Sequence, residues 1–215
     1  MKKVKCFWWM VRPHLKLERG ITALGSSVIA GVDEVGRGAW AGPLVASAVI
    51  LPIRHKIYYL GIQDSKQLGP EQREAIFAKL VDLGIDFGVG IVQVPELNRF
   101  GLGPGTRLAM QRAVQALKTK PDFILVDGRG TRFTNIPSQG VVGGDRTSLS
   151  IAAASIIAKV TRDQLMIKIG TKKYPQYNFE LHKGYGTKLH QTKLKELGVC
   201  AWHRKIFRPI QGLKS

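Results

Sequence analysis

Residues 28–43 read V-I-A-G-V-D-E-V-G-R-G-A-W-A-G-P. The β-branched residues Val28, Ile29 and Val32 predict a strand that carries two adjacent carboxylates, Asp33 and Glu34, toward its end. Gly36 and Gly38 follow with Arg37 between them, and the apolar run 44–51 predicts a second buried strand, antiparallel to the first. Glycines permit a sharp turn and let a ligand approach the backbone, and Arg37 offers a planar fork of donors suited to phosphate. Acids for a metal beside donors for a phosphate are the ingredients of phosphodiester cleavage. The same letters also suit a solvated acidic pair followed by a tight turn. Strand neighbours point to opposite faces, so Asp33 and Glu34 can share one metal cluster only if the strand ends or bulges there.

Around this stretch the composition bounds the rest. The 215 residues suffice for one α/β domain with a small helical appendage, and 44% hydrophobic content supports a core. Lys and Arg number 33 against 15 acids, a net charge of +18, which points to a polyanion such as nucleic acid or to an anionic surface. From residue 159 to the end there are 13 Lys or Arg and 3 Asp or Glu, so phosphate contacts are expected mainly there. Cys6 and Cys200 have no metal-ligand spacing and no disulfide pattern, which fits a reducing cytoplasm. No stretch approaches a membrane span, and the apolar run 6–11 is too short and too soon interrupted for a signal peptide. Residues 1–26 read as a basic, loosely packed tail, and 27–215 as the folded domain.

Along the chain, helical spacing predicts a helix over 71–83, and F-x-V-x-I-x-V predicts a strand over 86–94. The loop before it carries Arg54, His55, Lys56, Tyr58 and Tyr59, then Asp64-Ser65-Lys66. Residues 95–100 read as a short turn or helix; Thr106 is read as the cap of a helix reaching Lys118. Strands are predicted over 123–126 and 138–142, a long helix rich in small residues over 150–169, and a basic helix over 188–197. This order suits a mixed β-sheet flanked by helices, with a C-terminal helical extension.

Three segments place acids beside glycine: Asp33-Glu34, Asp127-Gly128 and Gly144-Asp145. Strand ends converge in space, clustered carboxylates ionise together only near cations, and an all-oxygen set favours Mg²⁺ or Mn²⁺. Two such ions can clamp the attacking and leaving oxygens of an in-line displacement. Asp163 follows Lys159 by four residues, where an ion pair accounts for it, so Asp145 is taken as the fourth acid. His55, His182, His190 and His203 have no ligand spacing and read as surface or nucleic-acid contacts; Lys66 reads equally as a phosphate contact or a solvated lysine.

The segments D-E-V-G-R-G at 33–38, D-S-K at 64–66, V-D-G at 126–128, A-A-S-I-I-A-K-V-T-R-D from Ala153 and F-E-L-H-K-G-Y-G-T from Phe179 together resemble the ribonuclease HII family. The resemblance spans about 28–209 and departs at Gly143, where the family often has Lys. It implies a ribonuclease H-like fold and a nuclease that cuts the RNA strand of RNA–DNA hybrids and single ribonucleotides embedded in duplex DNA. It places metal ligands at Asp33, Glu34, Asp127 and Asp145, and readers of the ribonucleotide and its junction at Gly36, Arg37, Gly38 and Tyr185. A monomer without an obligate protein partner is expected. Two rivals are the type-three relatives, which usually add an N-terminal domain, and a non-catalytic basic protein that only binds nucleic acid.

Overall fold

The computed structural model describes residues 12–53, 57, 60–130 and 132–213. The loop residues Arg54, His55, Lys56, Tyr58 and Tyr59 lie outside the described residues. Strands β1 (Ile29–Val35), β2 (Leu44–Ile50), β3 (Asp86–Val92), β4 (Phe123–Asp127) and β5 (Ser138–Val141) form one sheet in the order β3-β2-β1-β4-β5. β1, β2 and β3 pair antiparallel, whereas β1–β4 and β4–β5 are parallel. β1 is therefore the central strand and β4 its parallel neighbour, and both carry acids at or near their ends, Asp33-Glu34 and Asp127. A mixed sheet with helices on both faces is the expected ribonuclease H-like layout.

The helices are α1 (Lys16–Ala23), α2 (Pro70–Asp82), α3 (Val94–Phe100), α4 (Leu102–Gln115), α5 (Gly144–Thr147), α6 (Leu149–Lys173), α7 (Phe179–His182) and α8 (Lys188–Leu197). α6 crosses one face, and its run of Ala152, Ala153 and Ala154 is fully buried. Its backbone approaches β1 so closely that a Cβ on Gly31 would lie 2.2 Å from Ser150 C. α4 covers the other face in the same way, over Gly88 and Gly90 of β3. Small residues thus set both layers close to the sheet, and burial of Val32, Leu44, Ile124 and Ile156 between them supplies the main driving force.

Two expectations are corrected. α4 begins at Leu102, and Thr106 lies inside it with its Oγ1 donating to Leu102 O at 2.9 Å. A side-chain bond to the i−4 carbonyl satisfies the hydroxyl within a helix, so Thr106 is not a cap. Residues 12–26, read as loosely packed tail, include α1, with Leu15 and Ile21 buried. Glu18, 2% exposed, accepts from Ser148 Oγ (2.6 Å), Ser150 Oγ (2.7 Å) and Ser150 N (3.0 Å). Its carboxylate sits on the first turn of α6, where helix dipole and unpaired N–H groups favour an anion. His14 N and O also bond Thr147 O and Leu149 N, which ties this segment to α5 and α6.

Candidate active site

Asp33 and Glu34 sit near the end of β1. The β1–β2 ladder runs on through Val35↔Val45 without a bulge, but the β1–β4 ladder stops at Val32↔Val126. Beyond that point the β4 side is open, and the side chain of Asp33 turns back so that Oδ1 accepts from Glu34 N at 2.7 Å. Asp33, Glu34 and Asp127 thereby line one cavity of about 290 Å³, with Ser65, Lys66, Arg73, Ser155, Lys159 and Tyr185. The requirement that the strand end or bulge is met on one side only.

The carboxylates are held separately. Asp127 Oδ1 accepts from Gly144 N at 2.7 Å, Glu34 pairs with Arg37 at 3.5 Å, and Asp145 pairs with Lys66 at 2.9 Å. Burial pushes the Asp33 carboxyl well above its ordinary range, and the charges of Glu34 and Asp127 add to this; bonds from Ser155 and Glu34 N–H oppose it. Glu34 is raised too, chiefly by burial, with Arg37 opposing. A divalent cation among them is the charge that would let these acids ionise together, and the donor set is all oxygen. Among the described residues, however, no three His, Cys, Asp or Glu groups already converge as a metal cage.

Asp145 lies on α5 rather than at a strand end, 4% exposed, and reaches the cavity through its Lys66 partner. That hydrogen bond raises the Lys66 ammonium's pKa, although the side chain is 79% exposed. Asp163 pairs with Lys159 Nζ at 2.9 Å, as its spacing on the helix implied.

Gly36 and Gly38 differ. Gly36 has φ +88°, and a Cβ there would strike Arg162 Nε at 2.2 Å, so packing alone requires glycine. Gly38 is exposed, and a Cβ on it would meet nothing within 4 Å. The turn is pinned from below by two buried arginines. Arg204 donates to the carbonyls of Gly36 (2.6 Å), Gly42 (2.9 Å), Pro43 (2.9 Å) and Arg37 (3.3 Å); Arg162 donates to Pro43 O (2.9 Å) and Ala41 O (3.2 Å). Burial presses both guanidinium pKa values down, and for Arg204 the Arg162 cation adds to it. Tyr185 lies beneath Lys159 Nζ and Arg162 Cζ, 5.7 and 5.2 Å from its ring centre. Such cation–π contacts orient an aromatic ring.

The expectation that phosphate contacts come mainly from the basic last third does not hold for Arg162 and Arg204, both 0% exposed. The expectation for the histidines is wrong as well. His182, His190 and His203 are buried among Tyr177, Phe179 and Trp202, while His55 lies outside the described residues. His203 Nδ1 accepts from Cys200 N (2.9 Å), so its Nε2 carries the proton that faces His190 Nε2 at 3.0 Å. His190 then donates from Nδ1 to Tyr185 O at 3.0 Å. This directed chain holds Tyr185 from behind. Ser65 and Ser155 were also missed: their hydroxyls bond each other at 2.9 Å, and Ser155 supports Asp33. Only the D-S-K and A-A-S letters hinted at them.

A mixed sheet whose central strand and its parallel neighbour deliver acids to one cavity, roofed by a long helix and edged by arginines, defines a ribonuclease H-type endonuclease. A family model described as Ribonuclease HII matches residues 30–210. The chain belongs to the ribonuclease HII family. It is 44% identical over 209 residues to a ribonuclease HII of Dehalococcoides mccartyi, covering 97% of this chain and 96% of that one. It is 48% identical over 188 residues to a ribonuclease HII of Chlamydia trachomatis serovar L2, covering 87% and 85%. In solved structures it resembles the ribonuclease H2 of Pyrococcus horikoshii OT3 (TM-score 0.72, 28% identity, 86% of this chain and 95% of that one). At fold level it also resembles the RNase HII in a complex with PCNA from Archaeoglobus fulgidus (TM-score 0.73, 23% identity, 85% and 96%). It is thus a phosphodiester hydrolase of the ribonuclease H kind, whose substrates are RNA–DNA hybrids. Among the described residues no helix is long and apolar enough to cross a membrane.

Proposed function

We propose that this endonuclease also cuts on the 5′ side of a single ribonucleotide embedded in duplex DNA, leaving a 3′-hydroxyl and a 5′-phosphate. The observation that carries this is the shared cavity: Asp33, Glu34 and Asp127 stand in one wall with Tyr185. Asp33, Glu34 and Asp127, with Asp145 behind Lys66, would hold Mg²⁺ or Mn²⁺, two ions in a two-metal scheme. When bound, such ions supply an activated water and stabilise charge on the leaving oxygen.

The protein's own groups supply selectivity. A 2′-hydroxyl both donates and accepts, and the exposed turn at Arg37 and Gly38 gives it backbone to bond, beside the acids. Tyr185, fixed by Lys159, Arg162 and the His190 bond to its carbonyl, presents its ring to the next sugar, where a further 2′-hydroxyl would crowd it. Lys66 neutralises Asp145 and faces Asp33, in reach of a nearby phosphate. Tyr185→Ala should lose at least about 10-fold more kcat/KM on a single-ribonucleotide duplex than on a long hybrid, about 1.4 kcal/mol of junction-specific binding. Equal loss on both substrates would count against junction sensing.

A further inference from the structure

The letters G-R-G occur twice, each just after an acid at or near the end of a strand: Gly36-Arg37-Gly38 after β1 and Gly128-Arg129-Gly130 after β4. The second turn is closely packed. Gly128 N donates to Val141 O at 2.9 Å, and Gly128 and Gly130 have φ of +86° and +71°. A Cβ on Gly140 would lie 2.3 Å from Gly130 N, so the turn is packed flat against β5. Arg129 is left exposed at its tip.

The two turns face each other across a cavity of about 300 Å³ that also contains Glu34 and Asp127. The first turns of α4 close it with Thr106 and Arg107. Arg129 and Gly130 also line a second cavity of about 720 Å³ with Arg132, and Arg132 lines a third of about 780 Å³ with Lys120. A cation-lined groove therefore leads from the acids past β4 and β5, and neither Tyr185 nor any residue of α8 lines it. Arg107, Arg129, Arg132 and Lys120 make no ion pair among the described residues. A groove wall of unpaired cations beginning at two catalytic acids fits a polyanion strand.

We infer that this groove is a second phosphate track, in which Arg129 and Arg107 grip backbone phosphates of the cleaved strand next to the cut and Arg132 and Lys120 grip those farther along. The inference rests on the proposed function, because the ligand is the same hybrid or ribonucleotide-containing duplex. The track adds to the phosphate contacts expected of the C-terminal third, and Tyr185 lines the other cavity at the acids, not this one.

The test is binding of a hybrid duplex by the full chain in excess chelator, so that nothing is cut, across a salt series. Each phosphate contact contributes about −0.9 to the log–log slope on B-DNA. The triple variant Arg107→Gln, Arg129→Gln, Arg132→Gln should flatten the slope by about 2 to 3, whereas Lys79→Gln, on α2 over the other sheet face, should match wild type. A single methylphosphonate placed at each position near the cut should weaken wild type at one position and leave Arg129→Gln indifferent there. A triple-variant slope equal to that of Lys79→Gln, or an Arg129→Gln variant weakened by the same methylphosphonate as wild type, would overturn the track. Failure of wild type to bind any such duplex would instead remove the proposed function itself.

Discussion

Lowering the pH from 7 to 5 should destabilise the fold through two buried histidines. Burial holds His190 and His203 at about 4, against 6.5 in an unfolded chain. Their 3.0 Å Nε2–Nε2 contact accommodates one proton, so charging either ring breaks the chain that ends on Tyr185 O. The folded values are depressed, so the unfolded state binds more protons between pH 6.5 and 4. Their contribution is complete above about pH 6.5 and is lost as the pH falls toward 4. At 1.36 kcal/mol per unit, each group loses about 2 kcal/mol by pH 5, and the pair up to about 4. Asp33 and Glu34 work the other way: their raised values mean that the metal-free fold gains stability on acidification. Urea unfolding in the Asp33→Asn background removes the main opposing group. With a slope of about 2 to 3 kcal/mol per molar for this size, the midpoint should fall by about 1 M or more. An unchanged midpoint there, or imidazole NMR signals of these two residues titrating near 6.5, would refute the reasoning.

Asp33→Asn, Glu34→Gln and Asp127→Asn should each lower metal-dependent turnover by about 100-fold or more while the far-UV spectrum is kept; full activity of Asp127→Asn would remove it from the site. Asp145→Asn should be similarly severe and Asp163→Asn mild, because Asp163 only pairs with Lys159; the reverse order of severity would exchange their roles. Glu18→Ala should cost about 2 to 4 kcal/mol in denaturant unfolding, because it strands the Ser148 and Ser150 hydroxyls that it now bonds. A loss under 0.5 kcal/mol, the range of ordinary surface changes, would show that α1 does not brace α6.

The sheet and its helices were legible because their signals are local: alternation in β3, the unbroken apolar run of β4 and the small-residue helix α6 each state their type. Asp33-Glu34 and Asp127 were legible as strand-end acids because glycine follows them, whereas Asp145, read the same way, lies on α5 instead. What escaped was set by tertiary contacts. Glu18 is one acid in a basic stretch, and no spacing announces that it caps a helix 130 residues away. Arg162 and Arg204 count toward net charge like any surface cation, yet they spend it on the carbonyls of residues 36–43. His190 and His203 are 13 residues apart across a helix end, and only the fold makes them a pair. The second G-R-G was visible in the letters, but its meaning depends on β4 lying beside β1.

The most direct measurement is end-mapped cleavage of a duplex DNA containing one ribonucleotide, by the full chain, with Mg²⁺ or Mn²⁺ and with excess chelator. The expected result is a single cut 5′ of the ribonucleotide, only with metal, leaving a 3′-hydroxyl and a 5′-phosphate. Cleavage undiminished by chelator, no cut at the ribonucleotide, or a 2′,3′-cyclic phosphate end, which would make the sugar hydroxyl the nucleophile, would contradict it.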